Sequence, residues 1–205
     1  MKHPVHALIE SRVSVNYYDP ERTLSDAVVK ELVRLATLAP SAYNLQNWKL
    51  VAVRSPQARL RLKDLAFGQQ KVADAPLTFI ICGTLQAHRR LADALRPSVD
   101  AGVLQQPLVD TWVRSATESH EGNAQLQRDE AMRSASLAAM TLMLAAEAMG
   151  LATCPMGGFD GAGVAREFGL DELDVPVMLV TVGYAAGENW ASKPRKPLEQ
   201  VLQFA

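Results

Sequence analysis

The chain is poor in cysteine: only Cys82 and Cys154 occur among 205 residues. Cys82 lies inside an apolar run and Cys154 follows a helical stretch. No disulfide scaffold is expected from that placement, and a reducing cytoplasm suits it. Charge of one sign is also missing, since 21 basic residues face 22 acidic ones. With no Lys/Arg-rich block, zinc-finger spacing or aromatic-basic alternation, nucleic acid is not an expected partner. No apolar run reaches the roughly 18 residues that span a membrane. Met1 to His6 lead directly into polar sequence without a signal-peptide core. His3, His6, His88 and His120 form no HExxH or other metal-ligand spacing, so no metal site is expected. His88 and His120 read as surface residues. Neither GxGxxG, GxxxxGK[ST] nor GxSxG occurs, which removes the usual signatures of dinucleotide folds, triphosphate loops and serine hydrolases.

What is present is a chain that is 48% hydrophobic, enough for a real core in one domain over residues 1–205. Residues 4–11 read as a short helix. Ser25 caps a second, in which Val28, Val29, Leu32, Val33, Leu35, Ala36 and Ala39 recur at helical spacing before Pro40. Lys49–Arg54, Leu77–Gly83 and Val175–Val182 read as strands, and Pro56 opens another helix. Ala131–Met149 is the clearest helix, rich in alanine and apolar around much of its circumference, and Gly150 closes it. Residues 162–168 give one more. Strands separated by helices imply a layered α/β arrangement. Residues 86–129 imply one or two helices and a mobile connection, an excursion placed to cover a pocket.

Polar groups gather at a few junctions. Between a helix and a strand, Ser41, Asn44 and Gln46 offer groups that both donate and accept, fit to read the edge of a flat polar heterocycle. A turn accounts for the same residues, because Pro, Ser and Asn favour turns for local reasons. Arg12, Ser14 and Asn16 alternate, so an extended backbone puts them on one face. An arginine fork with a hydroxyl makes a phosphate clamp. Lys193 and Arg195 repeat the alternate spacing, stiffened by Pro194 and Pro197. A surface turn and a solvated tail are the plain accounts of these two clusters. Gly157-Gly158 lets a flat ligand approach the backbone, and a turn after a helix explains that pair equally well.

Taken together and in order, these segments resemble the flavin-dependent nitroreductase superfamily. Arg12-Val13-Ser14-Val15-Asn16 resembles its Arg-x-Ser-x-Arg/Lys phosphate segment. Ala39 to Trp48 resembles Pro-Ser-Ser-x-Asn-x-Gln-Pro-Trp. Cys154 to Asp160 resembles the segment over the flavin ring, and Lys193-Pro194-Arg195 the closing basic pair. The resemblance implies an α+β, three-layer α-β-α fold: a central, mainly antiparallel mixed sheet flanked by helices, in an intertwined homodimer with sites at the interface. It implies FMN as cofactor, NADH or NADPH as donor, and a small electron-poor acceptor such as a nitroaromatic or quinone, served by a ping-pong cycle. An FMN-dependent reductase of activated alkenes, or a flavin-binding dimer with little NAD(P)H turnover, are the alternatives.

Residue by residue, the resemblance implies that Arg12, Val13, Ser14 and Asn16 meet the phosphate, with Lys193 and Arg195 returning to it. Pro40, Ser41, Asn44 and Gln46 would approach across the dimer. Lys71 would stabilise charge on the flavin, with Gln69 nearby. Pro155, Met156, Gly157 and Gly158 would line one ring face. The chain departs from the pattern at Asn16, usually basic, at Ala42, often serine, and at Asn47, usually proline. Gly157 stands where some relatives carry an acidic side chain.

Overall fold

The computed structural model describes residues 3–205; Met1 and Lys2, at the head of the polar N-terminus, lie outside the described residues. Among the described residues, eight α-helices and four strands follow in the order α1 (Pro4–Ser11), α2 (Asp26–Ala36), β1 (Trp48–Val53), α3 (Pro56–Leu65), α4 (Lys71–Asp74), β2 (Leu77–Thr84), α5 (Leu91–Asp100), α6 (Gln106–His120), α7 (Ala124–Ala148), β3 (Ala152–Met156), α8 (Gly161–Glu167) and β4 (Asp174–Gly183).

The sheet runs β1-β2-β4-β3, and each neighbouring pair is antiparallel. Among the described residues, the parallel element is a single bridge from Ser14 to Thr153. β2 is apolar from Phe79 to Cys82 and buried from Leu77 to Gly83 because it is central and covered on both faces. Leu77, Phe79 and Ile81 join a core with α2 and α7. Ile80 and Cys82 point the other way, into a core with α3 and α8. Each large apolar side chain so buried contributes about 1.5–3 kcal/mol. Burial also pushes the Cys82 thiol up to about 12. The result is the expected arrangement of helices on both sides of a largely antiparallel sheet.

Ser25 caps α2, its hydroxyl accepting from Val28 N–H. The helix ends at Ala36, earlier than the apolar pattern implied. Pro40 disfavours helical backbone at the residue before it, and the last turn tightens through Leu38 N–H to Leu35 C=O and Ala39 N–H to Ala36 C=O. β3 has no counterpart in the sequence reading, and it contains Pro155. It is a sheet edge, where a residue without an N–H is tolerated. Pro176 sits inside β4 by a related device. Ile81 faces Met178 and Cys82 faces Pro176, leaving Val177 as the extra residue of a bulge.

Residues 86–129 hold more helix than expected: a 3-10 turn at Ala87–Arg90, then α5 and α6, with α7 starting at Ala124 under an Asn123 cap. Leu91, Leu95, Val109 and Ala116 make a small core with Leu45, so this segment is packed onto the Ser41–Asn47 loop. The surface placement of His88 and His120 is corrected here. They are 2% and 5% exposed, stacked with centroids 5.5 Å apart. His88 Nε2 meets Glu121 at 3.1 Å and His120 Nδ1 meets Ala116 C=O at 2.9 Å, so each ring has a polar partner that permits burial.

Candidate active site

The sequence-predicted residues fall into two groups. The first is built where the chain leaves α1. Ser14 bridges to Thr153 and Val15 N–H donates to Thr153 C=O at 3.0 Å, which holds residues 12–16 extended along the free edge of β3. Arg12, Val13 and Ser14 then line a depression of about 190 Å³ with Trp190, Ala191, Ser192, Lys193 and Arg195. Lys193 Nζ lies 4.8 Å from the centre of the Trp190 ring, and Arg195 donates to Lys193 C=O at 2.7 Å. Among the described residues, no carboxylate lines this space. The Nη1 of Arg12 is buried without a hydrogen-bond partner. A charged donor in that state is costly unless an anion meets it, so the depression fits a phosphate.

Lys71 opens α4 beside this group. Its ammonium donates to Asn16 Oδ1 at 2.9 Å and lies 3.4 Å from Cys154 Sγ. Gln69 Nε2 donates to Gly158 C=O at 2.9 Å. Pro155 is half-buried, whereas the Met156 side chain turns into the core under the sheet, leaving only its backbone at the surface. A Cβ on Gly157 would touch nothing within 4 Å, and one on Gly158 only Gln69. This backbone is open to a flat ligand. Deeper in, Tyr18 OH and Thr181 Oγ1 are 2.8 Å apart, and burial raises the phenol well above its ordinary range.

The second group is the loop before β1. Ser41 Oγ accepts from Gln46 N–H at 2.9 Å, closing a turn in which Tyr43, Asn44 and Gln46 all have positive φ (52°, 58° and 50°). Left-handed backbone at non-glycine residues costs about 1–3 kcal/mol each and gathers at functional sites. Leu45 is buried under the α5–α6 core, and Tyr43 meets Trp112 edge-on at 6.3 Å. Pro40, Asn44 and Gln46 are exposed. Asn47 is buried, its Oδ1 unpartnered. A groove of about 740 Å³ beside Gln46 and Asn47 shares no lining residue with the phosphate-sized depression.

One chain does not bring the two groups together. The loop enters β1, which is one edge of the sheet, and Ser14 joins β3, which is the other. Trp48 is level with Gly83, while Thr153 faces Val182, which faces Leu77 at the opposite end of β2. From strand spacing and rise, these diagonal corners are on the order of 20 Å apart. Trp190, Ser192 and Asn189 were missed by sequence reasoning. Their only signal was proximity to Lys193 and Arg195 in a polar tail. Among the described residues, no group of three or more His, Cys, Asp or Glu side chains could hold a metal ion, and no helix is long and apolar enough to cross a membrane.

A profile described as "Nitroreductase family" matches residues 9–184. The chain is 33% identical over 199 residues to the "Putative NAD(P)H nitroreductase MhqN" of Bacillus subtilis (strain 168), covering 96% of this chain and 97% of that one. Its fold is similar to the "putative nitroreductase in complex with FMN" of Exiguobacterium sibiricum 255-15, with a TM-score of 0.89, 27% identity, and 100% and 99% of the two chains covered. It is also similar to CLA-ER, an enone reductase of gut-bacterial fatty acid saturation metabolism, with a TM-score of 0.86, 26% identity, and 99% and 98% covered.

Proposed function

This chain belongs to the nitroreductase family, and on that premise we propose how its two corners serve an FMN-dependent NAD(P)H oxidoreductase acting on electron-poor acceptors such as nitroaromatics or quinones. The observation that carries this reading is the convergence of Arg12, Ser14, Lys193 and Arg195 on one depression, with the Nη1 of Arg12 buried and unpartnered. FMN would supply the redox chemistry, hydride transfer from NADH or NADPH and delivery of reducing equivalents to the acceptor. Arg12, Ser14, Lys193 and Arg195 hold its phosphate, with Val13 and Asn16 in the same extended segment. Lys71 sets a positive charge where negative charge develops, fixed in advance by Asn16. Gln69 braces the Gly158 carbonyl, so Pro155 to Gly158 present backbone to one ring face.

Pro40, Ser41, Asn44 and Gln46 complete the site from a second copy of this chain. Their diagonal distance from the phosphate corner within one chain supports that assignment. So do the apolar side chains left uncovered: Leu137 and Met140 on α7, and Leu198, Val201, Leu202 and Phe204 in the tail. A two-fold dimer covers such surfaces in pairs and makes two equivalent sites. The partner's α5–α6 excursion comes with its loop and bounds the opening, which donor and acceptor use in turn. We read residues 1–205 as one domain working in the cytoplasm, where NAD(P)H is supplied and the free thiols of Cys82 and Cys154 stay reduced.

The likeness to an enone reductase favours one second reading, an activated alkene as acceptor. The test is to purify the protein without added flavin, record its visible spectrum, and add NADH and NADPH separately without oxygen. A flavin spectrum that bleaches is expected, followed by an acceptor panel of nitroaromatic, quinone and enone. A yellow protein that does not bleach is a flavin-binding dimer instead. A colourless protein that takes up no FMN overturns the reading.

A further inference from the structure

We propose that Asn189 is a positioning residue that latches the basic tail to the phosphate corner and so sets the preference for FMN over unphosphorylated riboflavin. The inference rests on the FMN reading above. Asn189 Oδ1 accepts from the backbone N–H groups of Asn16 and Tyr17 at 2.8 and 3.0 Å. Its Nδ2 donates to the carbonyls of Tyr17 and Ala186 at 3.2 and 3.0 Å. Those partners fix the amide's orientation, because backbone N–H groups only donate and carbonyls only accept. The side chain uses its whole hydrogen-bonding capacity to hold two stretches of backbone together.

The latch closes a short ladder. Asp19 N–H donates to Tyr184 C=O and Ala186 N–H to Tyr17 C=O. Gly187, at φ +62°, then turns the chain so that Asn189 folds back onto residues 16–17. Trp190 follows at once, props Lys193 and lines the depression. Beyond Asn189, the hydrogen bonds of residues 190–202 stay within that segment among the described residues. Asn189 is therefore the last fixed point before Lys193 and Arg195. Without it, both long side chains and the strap beneath them must be ordered at the moment the phosphate binds, and that ordering weakens affinity. Of the isoalloxazine contacts, those on β3, Gln69 and the partner's loop make no hydrogen bond to the strap among the described residues, and Lys71 is held by the Asn16 side chain rather than by the backbone N–H that Asn189 engages.

The test is fluorescence titration of apoprotein with FMN and with riboflavin, for wild type, Asn189→Ala and Asn189→Ser. The alanine variant is expected to bind FMN about tenfold more weakly and riboflavin about as well as wild type does. Riboflavin binding also reports that the variant is folded. Asn189→Ser keeps one acceptor for the backbone and is expected to fall between. Equal losses for both flavins, or an unchanged FMN-to-riboflavin ratio, overturn the inference while leaving the cofactor assignment standing. Wild type that binds neither flavin overturns the cofactor assignment and this inference with it.

Discussion

The two corners of the site are built on opposite principles. The phosphate corner is rich in charge and quiet in backbone: extended residues bridge to β3, an asparagine latches the tail, and Arg12 waits with an unmet N–H. The loop corner carries no charge from Pro40 to Asn47, but its backbone is strained at Tyr43, Asn44 and Gln46. A charged corner holds its ligand through long-range attraction that tolerates small displacements. A neutral corner selects by placement, so it must be rigid, and the α5–α6 core beneath Leu45 supplies that rigidity. On the proposed reading, affinity belongs chiefly to one corner and shape selection to the other.

The strongest break of this comparison is complementation between chains. Arg12→Ala and Asn44→Gly/Gln46→Gly chains are each expected to purify poor in flavin. Co-expressed, their mixed dimer has one doubly damaged site and one intact site, so about half of the wild-type flavin content returns. No recovery in isolated mixed dimers would place both corners in one chain. Arg12→Ala alone is expected to weaken FMN by about 10- to 100-fold, the range for a charge-assisted bond. Asn44→Gly is expected to cost less, and equal losses in parallel titrations would erase the distinction.

Lys71→Ala sharpens the contrast within the charged corner. It is expected to slow flavin reduction on the order of tenfold at saturating donor, with modest loss of FMN affinity. Stopped-flow bleaching measures this, and an unchanged rate removes Lys71 from the chemistry. For the strained corner, Asn44→Gly is expected to raise stability by up to about 1 kcal/mol, since glycine adopts left-handed backbone freely. A denaturant midpoint that falls would mean that the side chain, not the strain, governs that turn.

The smallest effect concerns acid. Arg89, first, and then His88 hold the Glu121 carboxyl down at about 2, against an ordinary value of 4.5. A carboxylate so depressed stabilises the fold above its unfolded value and ceases to do so as pH falls through its folded one. The end of α6 is thus expected to loosen between about pH 4.5 and 2, disturbing the loop corner before the phosphate corner. Glu121→Gln should flatten that dependence in Trp112 fluorescence, and an unaltered profile would assign the transition elsewhere.

Much of this was legible in the sequence because the informative residues sit where local rules act. Ser25 caps a helix, Phe79 to Cys82 is apolar because both faces are covered, and Arg12, Ser14 and Asn16 alternate along extended backbone. What stayed hidden depended on distant partners. β3 is a strand because an edge tolerates Pro155. His88 and His120 are buried because each found a partner through the packing of residues 87–121. The excursion's helices close on Leu45, outside their own segment, so their periodicity alone did not define them. Asn189 looks like any polar tail residue until Asn16 and Tyr17 are beside it.

That last juxtaposition bears on how the protein is made. Asn16 and Asn189 are separated by 173 residues, so during synthesis the two halves of the proposed phosphate grip are made far apart in time, the Arg12 half first. The sheet is complete once Gly183 has been added, before Asn189, Lys193 or Arg195 exists. A product that stops between those points has its core yet lacks the strap that Asn189 anchors. On the proposed reading, a chain that stops before Asn189 would fold its sheet yet lack a closed phosphate grip, so stability of the core and retention of the cofactor are separable in this architecture.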